Sequence, residues 1–415
     1  MKLKIDHLLL LIVLLTSCTS NNNFSKDSQE IGAWGPMVLN TGKIAGAYSI
    51  SPENNPETKI DVSIIQTNNQ IFFYPIVPLE IGDIYQLFET GNPKPVVKNL
   101  SVREPCVAYL GSPDGNSEIW KKCPGQDPVQ ITKTEGKVGD MTVSRSGEWI
   151  FFIVNSEVNK SEIWQVSPDG SKQKIIYECS GSQCSNLDYC PLTGRLAFIQ
   201  DNNRTQIRIL DLITEKINEL EGSGTDLKFS PNGQYLSFFD ESLQQLTIVN
   251  LSTQKRITKK SGSGLVGEWS RDSQTILFGE FEFWGGIPGV KVHELYVDSD
   301  EVDSILNDPN QELEFYQPMY SREEDVYMVS IRQRDAGPSK QLWLIREGAE
   351  SVKQITNDPL YHYSFPSWNS DYSELVFQRY PINTSDGHSQ VVVWNQSSDS
   401  FQVIADNASK PFWLP

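Results

Sequence analysis

The sequence predicts an all-β fold: a single β-propeller of four-stranded blades, its ring closed by the C-terminal strand. Three features of the 415-residue chain predict it. A strand-like segment recurs eight times, mostly at a spacing in the forties. A tight turn between two apolar strands precedes most copies, and the last residues repeat the opening of a copy. The count favours eight blades, with seven as the alternative because the first two copies are irregular.

Each copy begins with an acidic or amide residue and continues with alternating apolar positions. The copies are Asp83-Ile84-Tyr85, Glu118-Ile119-Trp120, Glu162-Ile163-Trp164, Gln206-Ile207-Arg208-Ile209, Gln245-Leu246-Thr247-Ile248, Glu294-Leu295-Tyr296-Val297, Gln341-Leu342-Trp343-Leu344 and Gln390-Val391-Val392-Val393. Their second residues are 35, 44, 44, 39, 49, 47 and 49 positions apart. Period-two alternation of β-branched and aromatic residues specifies a half-buried strand. A loop-tolerant period in the forties fits a four-stranded propeller blade.

The preceding element is a strand, a turn and a second strand. It is clearest in Phe229-Ser230-Pro231-Asn232-Gly233-Gln234-Tyr235-Leu236-Ser237-Phe238 and recurs from Met141 to Phe151, Trp269 to Phe278 and Trp368 to Phe377. Pro fixes one turn dihedral and Gly or Asn tolerates the next. A short edge strand follows in three copies: Gln130-Ile131-Thr132, Arg256-Ile257-Thr258 and Gln354-Ile355-Thr356. The recurrent Trp120, Trp164, Trp343 and Trp394 hold related places in the repeat, which assigns them to packing between sheets.

The aromatic-Ser-Pro-Asn-Gly-Gln turn, the apolar strand after it and Ile355-Thr356-Asn357-Asp358-Pro359 resemble the TolB-type, WD-like propeller repeat. The resemblance spans about residues 60–415 and is clear in five copies. It implies radially packed four-stranded sheets and says little about activity, because such folds host many functions. Proteins of the TolB type carry an α/β domain before the propeller. Only about 40 residues separate Cys18 from the first expected strand, Asp61–Gln66, so no partner or binding residue is carried over. Lys410-Pro411-Phe412-Trp413-Leu414-Pro415 echoes Phe365-Pro366-Ser367-Trp368 and ends just after a first strand. The expected pairing of this strand with the N-terminal blade protects a sheet edge, and the competing first strand is Asp61–Gln66.

Residues 1–17 read as a signal peptide: Lys2 and Lys4 precede the apolar run Leu8–Leu15, which is too short to span a bilayer. Leu15-Thr16-Ser17-Cys18 resembles the lipobox of bacterial lipoproteins, which implies lipidation at Cys18. Thr19, which is not Asp, favours an outer membrane where the organism has one. Otherwise the anchor is expected on the outer face of the cytoplasmic membrane. Residues 18–42 read as the lipidated Cys and a flexible polar tether, and 43–415 as the propeller with a lead-in.

Export permits disulfides. Cys106 and Cys123 lie symmetrically about Asp114-Gly115, a favoured hairpin turn. Folding there sets Tyr109 opposite Trp120 and makes Cys106–Cys123 a candidate bridge. Cys179, Cys184 and Cys190 cannot all pair internally, and their spacing is not that of a zinc site.

The formal net charge of −18 argues against a nucleic-acid binder, which needs cations for phosphates. Four His make a His-rich metal site untenable. There is no Gly-x-Ser-x-Gly elbow, and His293-Glu294 continues as Leu295-Tyr296-Val297, so no His-Glu-x-x-His motif is present. Asp298, Asp300 and Asp303 lack the Gly of a calcium loop and read as a solvated acidic loop. No catalytic residue, metal or cofactor is assigned.

The sharpest asymmetry is loop length. Connections at 200–205 and 240–244 are short, whereas 280–292, 332–340 and 379–389 are long and belong to consecutive copies. They carry Phe281, Phe283, Trp284, Arg332, Arg334, Tyr380 and His388, the candidate binding residues. Either these side chains form one arc that meets a partner, or the aromatics fold back over the barrel end. The expected function is a lipid-anchored envelope protein whose propeller is a non-catalytic protein-interaction or scaffolding module. The alternatives are a glycan or small-molecule receptor and a propeller enzyme acting on carbohydrate. The expected partners are the membrane, through the N-terminal lipid, and a protein or glycan of the envelope.

Overall fold

The computed structural model describes residues 28–39, 46–66, 70–112, 117–157, 160–201, 205–261, 266–284, 287–306, 308, 312–323, 325–347, 350–382 and 388–415. The leader, Cys18, Thr19 and the Asp114-Gly115 turn lie outside the described residues. Seven four-stranded sheets form a propeller, and a further seven-stranded sheet precedes them. One 3-10 turn, Arg334–Ala336, interrupts an otherwise all-β chain among the described residues.

The number of blades is seven, which corrects the expected eight. Seven of the eight recurrent segments are third strands of blades, from Glu118–Lys122 in blade 1 to Gln390–Asn395 in blade 7. The eighth, Asp83-Ile84-Tyr85, starts a strand of the N-terminal sheet. That sheet comprises β1 (Ser28–Ile31), β2 (Met37–Leu39), β3 (Tyr48–Pro52), β4 (Ile60–Gln66), β5 (Ile71–Pro75), β6 (Ile84–Glu89) and β7 (Val97–Val102). Residues 28–39, expected within a polar tether, thus supply two strands.

The order β1-β7-β6-β3-β4-β5-β2 leaves β1 and β2 as the two edges. The buried Gln29 side chain of β1 bridges them: its Nε2 donates to Val38 O (2.7 Å) and its Oε1 accepts from Val38 N (3.0 Å). The sheet therefore curls on itself around Met37, Ile50, Phe73, Leu87, Val97 and Leu100, all fully buried. Because these strands bury their main apolar face against one another, they form a unit of their own and not a blade, which is the physical reason for the lower count.

Blades 2 to 7 are consecutive in sequence and antiparallel throughout. Blade 1 takes Cys106–Gly111, Glu118–Lys122 and Val129–Gln130 from the start of the propeller. Its innermost strand, Ala408–Leu414, comes from the end of the chain and pairs with Cys106–Gly111. Large second-strand residues fill the gaps between blades. Phe152, Phe198, Phe238, Phe278 and Phe377 occupy equivalent places and lie in five separate clusters, each shared with the preceding blade. Each such burial contributes about 1.5–3 kcal/mol. Trp120, Trp164, Trp343 and Trp394 join these inter-blade clusters.

The Ile-Thr pairs act at blade edges. Thr132 Oγ1 accepts from Ile119 N and Thr356 Oγ1 from Leu342 N, both at 2.9 Å, so a hydroxyl replaces a missing ladder carbonyl. Cys106 and Cys123 are bonded (S–S 1.97 Å) on a hairpin that pairs Tyr109 with Trp120. Cys179 and Cys184 form a second bridge (2.00 Å) between the outer strand of blade 2 and the inner strand of blade 3, leaving Cys190 free and buried.

Candidate functional site

Two places draw functional side chains together: the long hairpins of blades 5 to 7 and the axial channel. In blade 5 the expected loop is mostly strand. Thr275–Trp284 and Ile287–Tyr296, ten residues each, stay paired out to Trp284 and Ile287, so the end of this hairpin extends beyond the blade. Period-two geometry puts Phe281 and Phe283 on one side, with ring centroids 6.0 Å apart. Phe283 is 71% exposed and Phe281 37%. The Trp284 side chain lies outside the described residues.

In blade 6, Arg332 and Arg334 both face the buried Glu314 carboxylate, at 2.6 and 3.8 Å. Glu314 also accepts from Tyr316 Oη (2.7 Å), and Lys340 Nζ sits 3.6 Å from the Tyr316 ring centroid. Burial and the hydrogen bond to Glu314 push the Tyr316 phenol up to about 12. In blade 7 the Tyr380 and His362 rings meet in a tilted contact (centroids 5.0 Å apart), and burial with the nearby Lys340 charge holds the His362 imidazole below its ordinary value. His388 is exposed. The sequence-predicted residues thus fall into local groups on three consecutive blades, each built on the connection between second and third strands.

The channel was not read from the sequence. Every inner strand carries a register shift at its centre. Five place a non-glycine residue in the left-handed region there: Asn186, Asp226, Gln317, Phe365 and Lys410, with φ between 47° and 55°. In blade 5 the place is Gly267, where a Cβ would lie 1.9 Å from Leu277 O. Each left-handed residue costs about 1–2 kcal/mol. A bulge re-aims side chains, and these bulges stitch blade to blade. Lys410 Nζ meets Asp140 Oδ1 (2.7 Å), and Asn186 N donates to Asp140 Oδ2 (3.2 Å). Asp226 N donates to Asn186 Oδ1 (3.0 Å), and Val266 N to Asp226 Oδ2 (2.8 Å).

A second layer lies nearer the turns: Asp188 accepts from Phe229 N (2.6 Å) and Glu268 from Tyr320 N (3.0 Å), each from the next blade. Burial pushes Asp188 up to about 6 and Glu268 up to about 7, against the opposing pull of Arg145 and Lys228. These layers line a cavity of about 510 Å³ along the axis, which Trp34 and Pro78 of the N-terminal sheet also border. The sequence signal was available. The residue two before each turn Ser, Cys or Asn (Asp188, Lys228, Glu268, Ser367) faces the axis, but inner strands cannot be told from outer ones without the ring.

Fold and channel together define a seven-bladed β-propeller with its own N-terminal β unit. No family model and no curated protein matches the chain. Among solved structures it is similar to one from an analysis of two prolyl endopeptidases (10% identity, TM-score 0.54), covering 88% of this chain and 50% of that one. It is also similar to TolB from Acinetobacter baumannii (13% identity, TM-score 0.44, 85% of this chain and 82% of that one). A structure described as a TolB from Agrobacterium tumefaciens aligns at 16% identity and TM-score 0.45, over 60% of this chain and 89% of that one. At these identities the likeness concerns the fold alone.

Proposed function

We propose that the protein is an exported lipoprotein, anchored in the cell envelope through Cys18, whose propeller is a non-catalytic protein-interaction module. The observation that carries the interaction reading is the blade 5 hairpin, which holds Phe281 and Phe283 toward solvent on paired backbone. Exposed aromatics on a rigid element are the usual anchors of an interface. Arg332, Arg334, Tyr380 and His388 flank it on the next two blades. The export reading rests on the leader and agrees with two disulfides, which persist in oxidising compartments. Thr19 favours the outer membrane in a diderm cell. The same reading takes the pairing of Ala408–Leu414 with Cys106–Gly111 as closure of the ring.

Two measurements test this. Metabolic labelling with an alkyne fatty acid is expected to mark the wild-type protein and not Cys18→Ser. A label on both, or on neither, refutes the anchor. A photo-crosslinking residue at position 283 is expected to trap a defined envelope protein that Phe281→Ser/Phe283→Ser no longer binds. An unchanged complex with the double variant refutes the hairpin as the interface.

A further inference from the structure

The axial cavity has two unlike walls. Blades 2 to 5 contribute all of its charged side chains, Arg145, Lys228 and Arg271 with Asp140, Asp188, Asp226 and Glu268. Blades 6, 7 and 1 contribute Met319, Phe365, Pro366 and Phe412. Within the charged wall Lys228 lies 3.7 Å from Asp226, and its ammonium donates to Val266 O (2.9 Å).

The two arginines are placed differently. Each stands in the turn after an inner strand and reaches across the mouth of the channel to a blade two further on. Arg145 Nη2, from blade 2, donates to Phe229 O of blade 4 (3.3 Å). Arg271 Nη2, from blade 5, donates to Ser370 O of blade 7, and its guanidinium lies 3.9 Å over the Tyr372 ring. Carbonyl oxygens and a ring face take up only part of these donors, and Asp188 and Glu268 are the carboxyls that feel the two charges. Two guanidiniums thus stand at the turn-side mouth, beside the uncharged wall.

We propose that this cavity binds a small organic acid, with its carboxylate between Arg145 and Arg271 and an apolar body against Met319, Phe365 and Phe412. The volume of about 510 Å³ suits a small molecule. A guanidinium fork offers a carboxylate two parallel hydrogen bonds, and the free N–H groups of the two arginines exceed what one carbonyl each can accept. The nearby carboxyls do not fill that role. Asp188 and Glu268 are turned to the amides of Phe229 and Tyr320 on adjacent blades, and Asp140 and Asp226 lie against the ammonium groups of Lys410 and Lys228. Burial moreover raises Glu268 to about 7, so near neutral pH it opposes an incoming anion less than a full carboxylate does.

The test is calorimetric titration of the purified protein with 2-naphthoate, and with 2-naphthamide, which keeps the ring system and loses the charge. Saturable binding of one naphthoate per chain is expected, with the amide at least tenfold weaker. Arg145→Gln and Arg271→Gln are each expected to weaken naphthoate at least tenfold and to leave the amide unchanged, while Phe283→Ser changes neither. Absent naphthoate binding, equal affinity for acid and amide, or full affinity in both arginine variants overturns the proposal. Should an arginine variant fail to fold, the acid-against-amide comparison on the wild-type chain decides alone.

Discussion

The Tyr74 hydroxyl donates to Glu148 Oε2 at 2.9 Å, and this bond joins the N-terminal sheet to the turn of blade 2. Ser146 Oγ donates to the same oxygen at 2.9 Å. Burial pushes the Glu148 carboxyl up, and the two hydroxyls pull it back. Around this bond Val38, Phe72 and Tyr74 pack on Leu192 of blade 3, and Arg103 Nη2 donates to Pro415 O (2.7 Å). Tyr74→Phe keeps the packing and removes one donor from a buried carboxyl, at a cost of about 1–3 kcal/mol. Hydrogen exchange is expected to accelerate in β5 and not in blades 4 to 6. Unchanged protection of residues 71–75 would show that the bond does not hold the sheet in place.

Stability is expected to fall as pH rises from about 5 to 8. Asp188, Glu268 and Glu148 all have native values above their unfolded ones, because burial disfavours the charged form. In that window the native state holds protons that the unfolded chain has released, so each rise in pH favours unfolding. The melting temperature should be higher at pH 5.5 than at pH 8, and Glu268→Gln should flatten the dependence. A melting temperature that increases over this range would contradict the assignment.

Trp269 Nε1 donates to Ser237 Oγ (2.9 Å) across blades 4 and 5. In blade 7 Trp368 holds the same place, but Met328 stands where blade 4 has Ser237, and the Trp368 Nε1 has no partner. Ser237→Ala makes the first contact like the second, at a cost of about 1–3 kcal/mol for the stranded donor. Urea unfolding measures it, and a loss below a few tenths of a kcal/mol would mean the indole finds another acceptor.

Of the five cysteines after Cys18, Cys190 alone is free, and it is buried. Alkylation without reductant should label no cysteine of the five in the native protein and one after denaturation. Cys123→Ser opens the bridge to Cys106, 17 residues away, and should cost about 3 kcal/mol. Two or more labelled sites in the denatured, unreduced chain would refute the pairing.

The repeat was legible because a blade is a local object. Period-two alternation, the Ser-Pro-Asn-Gly turn at 230–233 and the symmetric cysteines 106 and 123 each act over fewer than twenty residues. The long hairpins were also legible as long connections, although their strand character was not. An extended loop and an extended hairpin share a sequence when the deciding pairs, such as Phe281 with Val290, lie across the turn.

By itself the sequence determined an all-β chain, the strand units and the hairpin that brings Cys106 to Cys123. Tertiary structure decided how many units are blades, because β6 matches the repeat yet buries Tyr85 and Leu87 in the core of the N-terminal sheet and leaves Ile84 exposed. It also decided which polar residues meet on the axis. Arg145 and Arg271 are 126 positions apart and reach one channel only because seven inner strands converge there. Side-chain alternation is written in neighbours along the chain, whereas convergence on an axis depends on every blade packing against the next.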